Sequence, residues 1–280
     1  MTYRMSRLLI VALFVVILFS LSKTISLYVD WLFFCEVGYE DTFTKMLSAE
    51  VFTGLAFGAA FFLFLFLNVF LVSAVNVPTT NITFMGQTRI AIDPGRLGKI
   101  FRLFGVAIAL IGGVVGGLWG SSLWPTVLAF MNSIDAGRAD PVFNYDISFY
   151  LFRLPMYEVV NGFAGFLIFL TILLVTVGYA VRGGLFFTGK APSLVRGARK
   201  HLAALVVLFF VKLAIGFWLD RFEILYTPHA VLTGAAYADV NARLVMLGVL
   251  IPITLIGGIV FCYGLLNERM RIALYPVIVL

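Results

Sequence analysis

The chain has 280 residues, 62% of them hydrophobic and only 12% charged, with a net charge of +6. A soluble domain carries about 25% charged residues. Half that share leaves too little polar surface to clothe a globule in water, so the composition excludes a soluble domain and requires a polytopic membrane protein. The 29 phenylalanines agree, because helix faces toward lipid and toward the bundle are both apolar.

In chain order, Met1–Arg7 and the apolar Leu8–Ser20 superficially fit a secretory signal. No small-x-small site follows, and the apolar stretch runs on toward Tyr28–Phe34, so an uncleaved first helix is expected. A helix needs about 20 residues to cross the hydrocarbon core. On that measure the spans fall at Leu8–Leu27, Val51–Val75, Ile100–Trp119, Met156–Val181, Leu202–Leu219 and Leu244–Leu266. A seventh, from Ile272 to Leu280, is still apolar where the chain stops, and rises only about 13 Å. The expected fold class is an all-α membrane helix bundle with six complete transmembrane helices and a truncated seventh, over 1–280. The chain then reads as the N-terminal portion of something longer, with a large extracytoplasmic region beyond 280.

Lys and Arg set the orientation. One set of loops, holding Arg4, Arg7, Arg96, Lys99, Arg182, Arg196, Arg199, Lys200 and Arg269 among others, has thirteen basic residues against Asp93 and Glu268. The other set has seven basic residues against twelve acids. The basic set belongs in the cytoplasm, which puts the N-terminus inside. The positive charge is thus a topology signal. No basic run interleaved with aromatics suggests nucleic acid; Arg196, Arg199 and Lys200 are read first as part of the same positive-inside bias, with contact to anionic lipid headgroups as the alternative.

Between the spans, Asn81–Ile92 alternates β-formers around Met85-Gly86 and predicts a short hairpin. Asp93-Pro94 then reads as an N-cap and first helical residue. Gly54 and Gly58, and the series Gly112, Gly113, Gly116, Gly117 and Gly120, mark close helix contacts, within the chain or between copies. Pro252 is expected to kink the sixth span and free the carbonyl of Gly248. Cys35 and Cys262 have no metal-ligand company, and a disulfide between them is not expected.

Chemistry centres on Lys212, inside the fifth span about 10 Å below Leu219. Intramembrane charges are costly and usually pair or face water. Glu158 and Asp220 are the expected partners, in a structural ion pair or on a transport path. Asn68 and Asn161 are nearly the only other polar groups at that depth, apart from Ser and Thr. The outer segments mix aromatics with charges, as an interfacial belt or a docking face requires; the docking candidates are Asp30, Trp31, Asp146, Arg153, Arg221, Glu223 and Asp239. Asp140, Asp146 and Glu158 form either a cation site or the ordinary acidity of outer loops. His201 and His229 fall on opposite sides of the membrane by this topology, and no Ser-His-Asp set, paired-carboxylate cleft, phosphate loop or metal spacing is evident. The expectation is a protein that is not an enzyme and needs no cofactor.

Three outer segments carry a resemblance. Asp30-Trp-Leu-Phe-Phe…Glu36-Val-Gly-Tyr39, Asn144-Tyr-Asp-Ile-Ser-Phe-Tyr-Leu-Phe-Arg-Leu-Pro155, and Trp218-Leu-Asp-Arg-Phe-Glu223 with Tyr237-Ala-Asp-Val240 resemble the uncharacterised UPF0182 family of bacterial membrane proteins. The resemblance spans nearly the whole chain. It implies seven N-terminal transmembrane helices in a bacterial inner membrane, followed by a large extracytoplasmic region, and no established activity. The chain departs from it at His229-Ala230, where the family tends to carry Arg-Gly. The functional expectation is a membrane anchor or scaffold for that extracytoplasmic region, or a subunit of an envelope complex. The alternative is a channel or transporter with its charged site around Lys212.

Overall fold

The computed structural model describes residues 21–75, 82–84, 88–90, 94–188, 191–227 and 234–279. Most of the expected first span, and the pair His229-Ala230, lie outside these residues. The described chain opens in a helix, α1, over 21–36. Tyr28–Glu36, expected as the start of an outer loop, is helical. Gly38, at φ 75°, then turns the chain, with the N–H groups of Gly38 and Tyr39 returning to the carbonyls of Cys35 and Phe34 at 3.2 and 2.9 Å. This is a Schellman closure, which glycine enters without a Cβ penalty.

Helix α2 runs from Glu40 to Ala74, 35 residues or about 52 Å, well beyond a hydrocarbon core of about 30 Å. It starts earlier than the expected Val51 because charge ends an apolar window without ending a helix. Glu40 and Asp41 in its first turn complement the positive helix end. Strands β1 (Ile82–Phe84) and β2 (Thr88–Ile90) then pair antiparallel, Thr83 opposite Arg89, as the expected hairpin. Pro94 is the first residue of α3 (Pro94–Ser121); Asp93 lies outside the described residues. α3 packs back along α2 through glycines. A Cβ on Gly58 would stand 2.7 Å from the carbonyl oxygen of Gly113, and one on Gly54 3.0 Å from that of Gly117. The small-residue spacing therefore serves contact within this chain.

The eight-residue α4 (Trp124–Met131) was not expected, although Pro125 marks its first turn. A π-turn over Phe149–Arg153 leads into α5 (Leu154–Val181). Its wide ring, Leu154 N–H to Phe149 oxygen, falls where Pro155 removes a donor and crowds the carbonyl of Leu151. A second, unexpected hairpin pairs β3 (Leu185–Thr188) with β4 (Ala191–Leu194). Helix α6 (Arg196–Glu223) continues as a 3-10 turn to Tyr226, so the segment expected as a loop from Trp218 is helical. A second π-turn, Asp239–Arg243, opens α7 (Leu244–Leu266), which matches its expected bounds and carries Pro252 inside it. Helix α8 spans Met270–Val279, ten residues or about 15 Å.

Among the described residues, five helices are long and apolar enough to cross a membrane: Glu40–Ala74, Leu97–Ser121, Phe149–Val181, Arg196–Tyr226 and Asp239–Leu266. They run alternately up and down. The ends of α2, α5 and α7 meet the starts of α3, α6 and α8 at one end of the bundle, where Lys99, Arg102, Arg182, Arg196, Arg199, Lys200, Arg269 and Arg271 gather. The opposite end carries most of the acids. The largest buried cluster lies near the basic end, with Val72, Val175, Tyr179 and Ala198 fully enclosed.

Candidate functional site

The acidic end is knitted by two aspartates. The chain between α4 and the π-turn of α5 folds back through a bridge between Ala139 and Asp146. The Asp140 carboxylate accepts from the N–H groups of Val142, Phe143 and Tyr145 at 2.8, 2.6 and 2.8 Å and from the Tyr150 hydroxyl at 2.8 Å. Asp146 accepts from the N–H groups of Ala136, Arg138 and Ser148 at 2.9, 3.2 and 2.8 Å. Burial pushes the Asp140 carboxyl up, but its four donors outweigh that and hold it below the usual value. The Ala136 and Ser148 donors take Asp146 down to about 2. Both carboxylates spend their lone pairs on the loop itself. Arg153 adds a 3.5 Å ion pair to Asp135.

Aromatic rings fasten this loop to α6. Phe222 meets Phe143, Tyr145, Phe149 and Trp218 at ring separations of 5.0, 5.5, 5.1 and 5.0 Å. The Arg221 guanidinium stands 5.9 Å from the Phe143 ring, a cation–π distance. The structure thus gathers Asp146, Arg153, Arg221 and Glu223 of the expected docking face at one end of α5 and α6. Asp239 lies at the start of α7, where its carboxylate accepts from the N–H of Ala236 at 3.0 Å. Asp30 instead lines a cleft of about 830 Å³ between α1, α2 and α3, shared with Lys23 and Glu50, and Trp31 packs on Tyr28 at 5.9 Å.

Lys212 lies deeper. Its chain crosses α5 at Gly165, where a Cβ would come within 2.6 Å of Cε and 2.9 Å of Nζ. Asn161 crosses α6 at Gly216 in the same way, its Nδ2 3.1 Å from where a Cβ would stand. Each helix thus supplies one polar residue and, four positions on, the glycine that admits its neighbour's. Lys212 and Asn161 share a cleft of about 650 Å³ with apolar residues from α4, α5 and α6. The expected ion pairs are not made: among the described residues the pairs within 4 Å are Arg153–Asp135 and Arg199–Glu268. Glu158 instead accepts from the Tyr226 hydroxyl at 3.2 Å.

The basic end holds a network that the sequence did not disclose. The Tyr179 hydroxyl lies 2.9 Å from His201 Nδ1, and His201 Nε2 lies 2.8 Å from Asn68 Oδ1. Asn68 donates through Nδ2 to the Phe64 carbonyl at 2.7 Å. One direction satisfies every member: Tyr179 donates to Nδ1, and Nε2–H donates to Asn68. The network ties α2, α5 and α6 together. Its signal was three polar side chains, each within two turns of the basic end of its helix. Beside it Arg182 donates to the carbonyls of Val72, Ser73 and Val75, the last two at 3.2 Å, and so caps the open end of α2. Arg199 pairs with Glu268 at 2.9 Å and donates to the Leu266 carbonyl at 3.1 Å. Cys35 and Cys262 are free thiols. Among the described residues no three His, Cys, Asp or Glu side chains are grouped to hold a metal ion.

No solved structure matches this chain. Among curated proteins it is similar to a UPF0182 protein of Geotalea uraniireducens, 36% identical over 269 residues, 96% of this chain and 30% of the relative. A UPF0182 protein of a Geobacter species, strain M21, is 36% identical over 256 residues, 91% of this chain and 29% of the relative. One from Mycobacterium bovis is 33% identical over 266 residues, 90% of this chain and 26% of the relative. The chain spans 30% or less of the length of these curated relatives. The profile described as the uncharacterised protein family UPF0182 matches residues 7–280, and the chain belongs to that family.

Proposed function

We propose that this chain is a non-catalytic, multi-pass domain of the bacterial plasma membrane that anchors and organises an extracytoplasmic region, alone or as a subunit of an envelope complex. The basic end faces the cytoplasm under the positive-inside rule, and the acidic end faces outward. Helix α1 completes a first span and α8 opens a seventh. The observation that carries the reading is the acidic end itself. Its loop is held by Asp140, Asp146 and the rings around Phe222, which makes a fixed face rather than a loose connection. The length of the relatives leaves room for the region that this face would support. Purification of the full-length protein in mild detergent, with mass spectrometry of what accompanies it, tests the reading. A stoichiometric partner, or protection of the 135–150 segment by the extracytoplasmic region in hydrogen exchange, is the expected result. A lone protein whose acidic end exchanges freely would overturn it.

One observation favours a second reading, a channel or transporter: Lys212 stands beside an open cleft without an ion pair among the described residues. The anchor reading predicts that Lys212→Met leaves assembly intact. Loss of solute flux in a normally folded Lys212→Met protein would favour transport.

A further inference from the structure

Lys212 lies within about two residues of the middle of the apolar Leu202–Leu219 stretch of α6. A lysine at the centre of a membrane helix costs about 2.5–3.5 kcal/mol on insertion scales and is normally compensated. Here no carboxylate comes within 4 Å among the described residues. The facing pairs Gly165–Lys212 and Asn161–Gly216 set the register of α5 against α6. That register places Glu158 level with Leu219, about 10 Å along the axis from Lys212. Asp220 is eight residues further along α6, about 12 Å. The cleft opens on the outer surface of the bundle, through side chains such as Val160, Ile215 and Trp218 that remain exposed. Its volume of about 650 Å³ falls in the range of small-molecule sites, about 300–1,000 Å³.

We propose that this cleft binds a membrane-dissolved carboxylic acid with a single alkyl chain, a fatty acid. Its carboxylate pairs with the Lys212 ammonium and accepts from the Asn161 amide, while the chain lies along Val160, Ala164, Val211 and Ile215. The surroundings select this class. Among the described residues no carboxylate touches Lys212, and Asp220 acts on it only from beyond 4 Å, so its ammonium is open to an anion in direct contact. Glu158, Asp220 and Glu223 stand between Lys212 and the acidic end and repel anions arriving from water on that side. A lipid-soluble acid enters sideways and avoids them. A phospholipid fits poorly, because its phosphate cannot shed its charge to reach the depth of Lys212, near the middle of the apolar stretch, whereas a carboxylic acid can move there in its neutral form. The site is independent of whether the domain anchors a partner.

The test uses the full-length protein in phosphatidylcholine nanodiscs with a diazirine-bearing analogue of oleate, followed by peptide mapping. Saturable labelling of α5 and α6 around the cleft is expected, competed by oleate and not by methyl oleate. Lys212→Met should lower the apparent affinity about ten-fold or more, the scale of one lost charge-assisted hydrogen bond. Lys212→Arg should retain it. Ala164→Phe, which fills the cleft and leaves Lys212 in place, should also abolish labelling, so the proposal does not hang on one variant's folding. Equal competition by methyl oleate, or labelling indifferent to both disruptive variants, would mean ordinary lipid contact and overturn the site. Absence of labelling on α5 and α6 of the unsubstituted protein would mean that another segment covers the cleft, and would overturn it too.

Discussion

The two ends of this bundle solve the same problem, how to close a set of helices, by different means. At the basic end α2 joins α3 and α5 joins α6 through the two small hairpins, α7 turns directly into α8, and buried side chains do the closing. Arg182 satisfies carbonyls of α2, and Tyr179, His201 and Asn68 spend their polar atoms on one another. At the acidic end the segment between α4 and α5 folds over the helix tips. Its aspartates are consumed by backbone N–H groups, its rings pack on Phe222, and Glu158, Asp220 and Glu223 make no ion pair within 4 Å among the described residues. One end is a lock between helices; the other is a surface laid over them. The contrast implies that damage to the basic end unfolds the bundle, whereas damage to the acidic end loosens a face and leaves the helices assembled.

The largest effect should come from Arg182→Met, which strips the C-terminal carbonyls of α2 of a charged donor. With hydrogen bonds to charged groups contributing about 1.5–3 kcal/mol each, a loss of about 3 kcal/mol is expected in thermal unfolding of the detergent-solubilised protein. A change under about 1 kcal/mol would show that water replaces the arginine and that the lock is not one. Next come Tyr179→Phe and His201→Phe, each expected to cost about 1–2 kcal/mol. The double variant should cost less than their sum, because the two share a hydrogen bond; strict additivity would break the network apart as an explanation.

Acid should act on the other end. Asp140 and Asp146 have folded pKa values below their ordinary value of 3.8, Asp146 at about 2. Their contribution is therefore complete above about pH 4 and is lost as the pH falls toward 2. Hydrogen exchange of the 135–150 amides should speed up over that window while the helices keep their far-ultraviolet circular dichroism. Simultaneous loss of both would erase the distinction between the ends. The smallest effect is expected at Glu268, which adopts a left-handed φ of 60° where helices usually end in glycine. Glu268→Gly relieves the backbone and loses the ion pair to Arg199, so stability should move by less than about 1 kcal/mol. Glu268→Ala loses the ion pair without the relief and should be the less stable of the two in the same melt.

The helices were legible because apolar windows report what lies in lipid, and α7 kept its expected bounds. Their true lengths were not legible. The backbone of α2 goes on hydrogen bonding through Glu40–Glu50, and that of α6 through Asp220–Tyr226, where charge had suggested loops. The β3–β4 hairpin was missed although Gly189-Lys190 suits a two-residue turn, because the strands around it are four residues each. The π-turn before α5 had a signal in Pro155; the one before α7 had none that we can name. At the site, the cost of an unmatched charge made Lys212 conspicuous and Asn161 stood out as a polar group at the same depth, yet their neighbours depend on the facing of α5 and α6, which no single-helix pattern encodes. His201 escaped for the opposite reason: beside five basic residues it looked like part of a cytoplasmic loop.

The exchange between Asn161 and Gly216, and between Lys212 and Gly165, has a consequence for how this protein varies. A methyl group at Gly165 makes the flexible end of the lysine swing aside, and one at Gly216 presses on the asparagine amide. Each change displaces the flexible end of one polar side chain, and so moves its nitrogen away from the place it now holds. Once Lys212 or Asn161 is replaced by a small residue, the glycine facing it has no reason to persist. The four positions therefore form two couples, each crossing from one helix to the other, and a change at either glycine acts first by displacing the polar group that faces it.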